Sequence, residues 1–283
     1  MGRTYASPAT EPLRERRGAR LRVLFDLALV AWLIWLFDAI NNLAPVRQAL
    51  AERDGEYVLS FERSLHLSPE HALNTWLASR DGLRQIVVFW YQNVHIGVTL
   101  AVLGWLWWRR RNLLGVLEAT LLIVSLIALA VFRSFPVAPP RMLPGGYVDL
   151  VAFVHHVPVW QLGSVALHAN QLCAMPSLHV AWATWCAIAV WQISRRAWVR
   201  TLAVIYPFLT TFAVMATGNH SLADAAAGAA STIIVFAVAS RVYGRRLNDA
   251  TLPLCRYQRA DCMRLLGNLG VRSEVGVGAC VRC

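Results

Sequence analysis

Lysine is absent from this chain of 283 residues, and charged residues make up only 15% of it, against about 25% in an ordinary soluble domain. A water-soluble globule is therefore excluded. No C-x2-C zinc spacing occurs, no internal repeat of solenoid period is present, and no long low-complexity linker divides the chain. What is abundant is apolar: 57% hydrophobic residues, twelve tryptophans and a mean hydropathy of +0.46. Several runs approach the ~20 residues needed to cross a ~30 Å hydrocarbon layer. The composition is that of a polytopic membrane protein. The net charge of +11 is carried by arginine alone, in short clusters rather than one continuous face. That pattern argues for topology signals and against a nucleic-acid partner.

Apolar runs and their breaks predict an all-α bundle of six transmembrane helices, over 22–43, 86–108, 113–134, 176–194, 199–218 and 221–240. The first run is too long for a signal-peptide core and no A-x-A cleavage site follows it, so it reads as an uncleaved anchor. Arg14, Arg16, Arg17, Arg20 and Arg22 precede it. Arg109 to Arg111 join the second and third spans, Arg195, Arg196 and Arg200 join the fourth and fifth, and Arg241, Arg245 and Arg246 follow the sixth. All of these clusters fall on one side, which the positive-inside rule makes the cytoplasm, with both termini there and the protein in the plasma membrane. The expected partition is a basic cytoplasmic N-terminus (1–21), a membrane catalytic domain (22–246) and a disordered cytoplasmic tail (247–283). Cys255, Cys262, Cys280 and Cys283 belong to that tail, expected to be reduced and without assigned function.

The outer side receives 44–85, 135–175 and a tight turn at Gly218 and Asn219. Ser68, Pro69 and Glu70 read as a helix start, and short interfacial helices are expected there. Ionisable groups at the ends of apolar helices are costly, so each marks a possible site. Arg133 and Arg141, in FRSFPVAPPRM, offer planar guanidinium groups suited to a phosphate. In AMPSLH, Pro176 in the first turn leaves Ser177 and His179 at a positive helix end. In GNHSLAD, His220 and Asp224 share a helix face, where the carboxylate can orient the imidazole and leave its other nitrogen free to attack. Tyr91 and His95, again at helical spacing, read either as site residues or as interhelical packing.

Arg141, His179, His220 and Asp224 all emerge at the outer face, although the topology was derived from other arginines. An imidazole backed by a carboxylate is suited to nucleophilic attack and one without to proton donation, so the implied chemistry is phosphoryl transfer through a phosphohistidine. No metal or cofactor is called for. A facial metal triad, a transporter and a non-catalytic lipid-binding scaffold of the same architecture stand as alternatives.

These motifs resemble the type 2 phosphatidic acid phosphatase superfamily, with PSLH in place of the usual PSGH and a His-x-x-x-Asp pair in the third motif. VAPPR, AMPSLH and TGNHSLADAAAG look like the branch that includes fungal inositol phosphorylceramide synthase and its bacterial relatives, an inositolphosphotransferase-like group. The resemblance covers roughly residues 85–240. It implies His220 as nucleophile, Asp224 as its partner, His179 as acid and Arg141 as phosphate ligand, acting on a lipid phosphate or phospholipid. Two departures stand out. The lysine that opens the family's first motif is replaced, with Arg133 the nearest cation, and Ala213 and Val214 occupy the third motif's Ser-Arg positions.

Overall fold

The computed structural model describes residues 47–109, 111–156 and 171–243, with the isolated positions 31 and 35. The expected first span, the basic N-terminus and the cysteine-bearing tail lie outside the described residues. Within them the chain is all-α: α1 (Gln48–Ser64), α2 (Glu70–Ala78), α3 (Asp81–Phe89), a π-helical turn (Trp90–Val94), α4 (His95–Arg109) and α5 (Arg111–Ser134) come first. After a 3-10 turn at Pro140–Met142 follow α6 (Leu150–His155), α7 (Leu178–Ile193), α8 (Ala197–Ala216) and α9 (Leu222–Tyr243).

Among the described residues, four segments are long and apolar enough to cross a membrane: Asp81–Trp108, which joins α3, the π turn and α4; Leu113–Ser134; Ala197–Ala216; and Leu222–Tyr243. The fourth expected span, 176–194, is a shorter apolar helix of 16 residues. At ~1.5 Å per residue it reaches roughly 24 Å, less than the ~30 Å of a hydrocarbon core. Its start is set by Ser177, whose hydroxyl oxygen accepts the Val180 N–H at 3.5 Å. Pro176, expected inside the first turn, instead precedes this cap, in a cis peptide with Met175. Similarly, α2 starts at Glu70 with Pro69 at the cap position and no side-chain cap, so Ser68 does not fill the role expected of it.

Helix α7 packs against α4, α5 and α8. Val102 and Leu106, Leu114, Leu117 and Leu121, and Trp185, Cys186, Ala189 and Ile193 form one apolar cluster among α4, α5 and α7. Polar edges there are met locally: the Trp185 indole donates to the Leu117 carbonyl at 2.8 Å and the Trp182 indole to Ser125 Oγ at 3.2 Å. Helix α9 approaches α7 through Gly228, where an added Cβ would stand 2.3 Å from the Ser177 carbonyl oxygen. Only a residue without a side chain permits that approach. Thr232 then donates to the Ala181 carbonyl at 3.1 Å, an interhelical bond of the kind membrane bundles use.

One end of the bundle is covered by α1, α2 and the segments 135–150 and 171–177. Val137 and Cys173 form an isolated bridge, with Val137 N–H donating to Leu172 O and Ala174 N–H to Val137 O, both at 3.0 Å. Asn74 of α2 joins the same cap by donating to the carbonyls of Val148 and Ala216 and accepting the Val148 N–H.

Candidate active site

At this capped end α7 begins, α8 ends and α9 begins, so their terminal residues meet. Gly218 adopts φ +74°, a left-handed conformation that costs a glycine little. Its N–H returns to the Met215 carbonyl and its own carbonyl accepts the Arg141 N–H at 3.0 Å. The reversal places Asn219 and His220 before α9, so His220 lies in the cap rather than on the helix face expected for it. Ser221 and Asp224 form a reciprocal capping box: Asp224 Oδ2 accepts the Ser221 N–H at 2.9 Å, and Ser221 Oγ accepts the Asp224 N–H at 3.3 Å.

The His220 side chain is buried. Its Nδ1 lies 2.8 Å from the Ala174 carbonyl oxygen and 3.6 Å from Asp224 Oδ2. The hydrogen bond that orients this ring is therefore to main chain, and the expected carboxylate stands one step further away. Its Oδ2 is already engaged by Ser221, which draws it toward the helix start. A carbonyl can only accept, which assigns the proton to Nδ1 and leaves Nε2 with a lone pair. Asp224 contributes a nearby negative charge for the cation that forms when Nε2 reacts.

His179, one residue into α7, faces His220 with ring centres 5.6 Å apart and planes at 62°. On its other side the Tyr91 ring stacks at 4.6 Å and 22°, and the His95 ring lies 4.2 Å away, tilted by 54°. Tyr91 lies in the π turn and His95 opens the α-helix directly after it. Single widened turns of this kind recur at functional sites because they re-aim side chains without ending a helix. Both residues, which the sequence read either as site residues or as interhelical packing, line the His179 side of the cluster.

Arg141 follows Pro139 and Pro140, and its side chain is 7% exposed. Nε donates to Asp149 Oδ2 at 3.1 Å, Nη1 to the side-chain Oδ1 of Asn219, and Nη2 to Gln171 Oε1 at 3.3 Å. Of the five N–H donors of a guanidinium, one on each terminal nitrogen remains, enough for a paired bond to an anion. Arg133 is placed differently. It is exposed in the last turn of α5, and no contact joins it to the histidines among the described residues. Seven residues, three of them prolines, separate the two arginines, and the chain turns away between them.

Ser177 was expected to offer its amide to a phosphate. Instead its N–H donates to the Asp224 carbonyl at 3.0 Å and its hydroxyl oxygen caps Val180. The amides of Leu178 and His179 are the orphan donors left in that first turn.

Sequence reasoning missed Ala174, Asn219, Asp149 and Gln171, which hold the histidine and the arginine. It also missed Glu62, whose Oε1 accepts the Ala223 N–H. Ala174 acts through its main chain and leaves no signature. Glu62 is an acid near a helix end, but its contact comes from a distant part of the sequence, 161 residues on. Among the described residues, no group of three or more His, Cys, Asp or Glu is arranged to hold a metal ion.

Comparison with known proteins adds a family. The family model described as "PAP2 superfamily" matches residues 56–238, which include every site residue named above. Among solved structures, the crystal structure of Aquifex aeolicus LpxE resembles this one at a TM-score of 0.46 and 16% identity, covering 61% of this chain and 92% of that chain. No curated protein matches the chain.

Proposed function

This chain belongs to the PAP2 superfamily, and from that premise we propose that it is a membrane enzyme acting on lipid phosphoesters through a phosphohistidine. One observation carries the reading: imidazoles from two different helix starts face each other with ring centres 5.6 Å apart, one of them bound through Nδ1 to a carbonyl. An arginine is anchored to the residue just before that histidine.

In the proposed reaction, Nε2 of His220 attacks phosphorus and forms a P–N bond as the P–O bond to the leaving alcohol breaks. His179 delivers a proton to that departing oxygen. The positive charge developing on His220 is met by Asp224, and the free N–H groups of Arg141 hold the equatorial oxygens, with the amides of Leu178 and His179 beside them. His179 then takes a proton from water or from an acceptor alcohol, whose oxygen breaks the P–N bond. Water makes the enzyme a phosphatase, and an alcohol makes it a phosphotransferase. Tyr91 and His95 support His179 in this scheme, and Arg133 serves at the rim of the entrance. The chemistry uses only groups of the chain itself and requires no metal.

The finer parts of the reading follow from the same residues. The motifs VAPPR, AMPSLH and TGNHSLADAAAG favour the inositolphosphotransferase-like branch. The arginine clusters favour six spans, the sixth supplied by 22–43, with the short α7 held within the bundle. They also favour cytoplasmic termini and a site opening to the outer face of the plasma membrane.

The test is His220→Ala in purified protein, assayed with short-chain lipid phosphates and with phospholipid donors. Turnover should fall to background and covalent labelling by a radioactive phosphoryl donor should vanish, while chelator leaves the wild type unaffected. Wild-type turnover in the variant would remove the proposal. Mass spectrometry of the lipid products separates hydrolysis from transfer.

A further inference from the structure

Behind the start of α9 lie two acids that the reaction scheme does not use. Glu62, in the last turn of α1, is 3% exposed, and Glu70, the first residue of α2, is fully buried. Glu62 reaches the Ala223 N–H with Oε1 and lies beside Ser221. It therefore caps α9 from another helix, while Ser221 and Asp224 cap it from within. These contacts fill donors that would otherwise be orphaned at a buried helix start.

The other oxygen of Glu62 and both oxygens of Glu70 are buried without a donor among the described residues, yet the two carboxyls are within hydrogen-bonding reach of each other. A carboxylic acid beside a carboxylate satisfies that contact with one shared proton, and two carboxylates cannot. The surrounding charges are few. Arg63 faces Glu70 from α1, Tyr147 faces both acids from the 135–150 segment, and Asp224 faces both from α9. His71, next to Glu70, packs edge-on against Tyr147 at 5.1 Å.

We infer that Glu62 is a positioning residue for the transfer reaction: it grips the first turn of α9 so that Asp224 and His220 keep their geometry, with Glu70 sharing its proton. The inference rests on His220 being the nucleophile. Glu62 touches no substrate and acts through Ser221, Ala223 and Asp224. Its ionised form turns the bond it accepts from the Ala223 N–H into a charge-assisted one and so holds the turn that carries Asp224. Burial pushes its carboxyl up to about 7, the Ala223 N–H opposes this, and the charge of Glu70 adds to the rise. The grip therefore tightens as pH passes through neutrality.

Two variants test this by kcat and KM measured from about pH 5 to about pH 9. Glu62→Gln keeps an acceptor for Ala223 but cannot ionise. Its KM should stay within about twofold of wild type, its kcat at alkaline pH should drop about tenfold, and the rise near neutrality should flatten. Glu70→Gln removes the charge that raises Glu62, so the rise should move to lower pH with little loss of maximal kcat. Should Glu62→Gln fail to give a monodisperse protein in detergent, the displacement in Glu70→Gln decides alone. A wild-type pH profile in Glu62→Gln, or an unmoved rise in Glu70→Gln, overturns the inference. An inactive His220→Ala beside an unchanged Glu62→Gln would reject positioning while sparing the nucleophile, and an active His220→Ala would reject the nucleophile itself.

Discussion

The two halves of α7 are built to opposite specifications. From Trp185 to Ile193 the helix lies in the apolar cluster with α4 and α5, and its polar edges are satisfied pairwise: Trp185 by Leu117, Trp182 by Ser125, and Cys186 by Thr99 at 3.6 Å. At its first turn, His179 sits among Tyr91, His95 and His220. Nearby, His95 Nδ1, Asp224 Oδ1, Glu62 Oε2 and both Glu70 oxygens are buried without a hydrogen-bond partner among the described residues. A buried polar atom left unmatched costs roughly 1–3 kcal/mol. One half of the helix is thus built for holding, and the other gathers imidazoles and acids at a helix end, where packing alone would not place them.

Substitutions can break that contrast. The largest effect is expected from His179→Ala, which removes the proton donor: kcat should fall by about 10²–10⁴ while the melting temperature stays within a degree or two of wild type. A large loss of stability with unchanged turnover would invert the assignment of the two halves. Trp185→Ala should do the reverse, lowering stability by about 3–5 kcal/mol through the cavity and the unpaired Leu117 carbonyl. Measured at a temperature where the variant is still folded, its pH profile should match the wild type.

Gly228→Ala tests the seam between the halves. The new Cβ would stand 2.3 Å from the Ser177 carbonyl, so α9 must move away from α7. A loss of about 1–3 kcal/mol is expected, with kcat reduced because Asp224 moves with its helix; unaltered kcat would show that the approach of α9 is not what sets the site.

The smallest effect concerns acid and stability. With its carboxyl pushed up from the ordinary 4.5 to about 7, Glu62 holds a proton in the folded state that the unfolded chain releases. Stability from this group is full below about pH 4.5 and declines as pH rises toward 7. Glu62→Gln should therefore melt a few degrees higher than wild type above neutrality and no higher near pH 4.5, as thermal scans in detergent would show. A variant that instead loses stability only at alkaline pH would reverse the sign.

How legible this was depended on where each contact came from. His179, His220 and Asp224 stand in short motifs at helix ends, and their neighbours in sequence announce them. Tyr91 and His95 were visible by spacing, but a residue pair on one face looks the same whether it packs or reacts. In the structure both rings meet His179 of α7. The contacts of Ser177 were misjudged because a free amide at a helix start is a local expectation, and only α9 folding back supplies the Asp224 carbonyl that consumes it. Arg133 and Arg141 look equivalent in the sequence, yet the prolines between them send one outward and fix the other to Asp149, Asn219 and Gln171. The segment 176–194 read as a full span because apolarity alone does not show that the cap at Ser177 shortens the helix.

That the Ala174 peptide carbonyl, and not a side chain, holds His220 has an evolutionary consequence. No point mutation can delete a peptide oxygen, so the orientation of the proposed attacking ring is shielded from single-letter drift in a way that an Asp- or Glu-held imidazole is not. A change of side chain at 174 would leave that oxygen in place as long as the short pairing of 137 with 173 persists, and redesign of this ring would have to reshape a stretch of backbone.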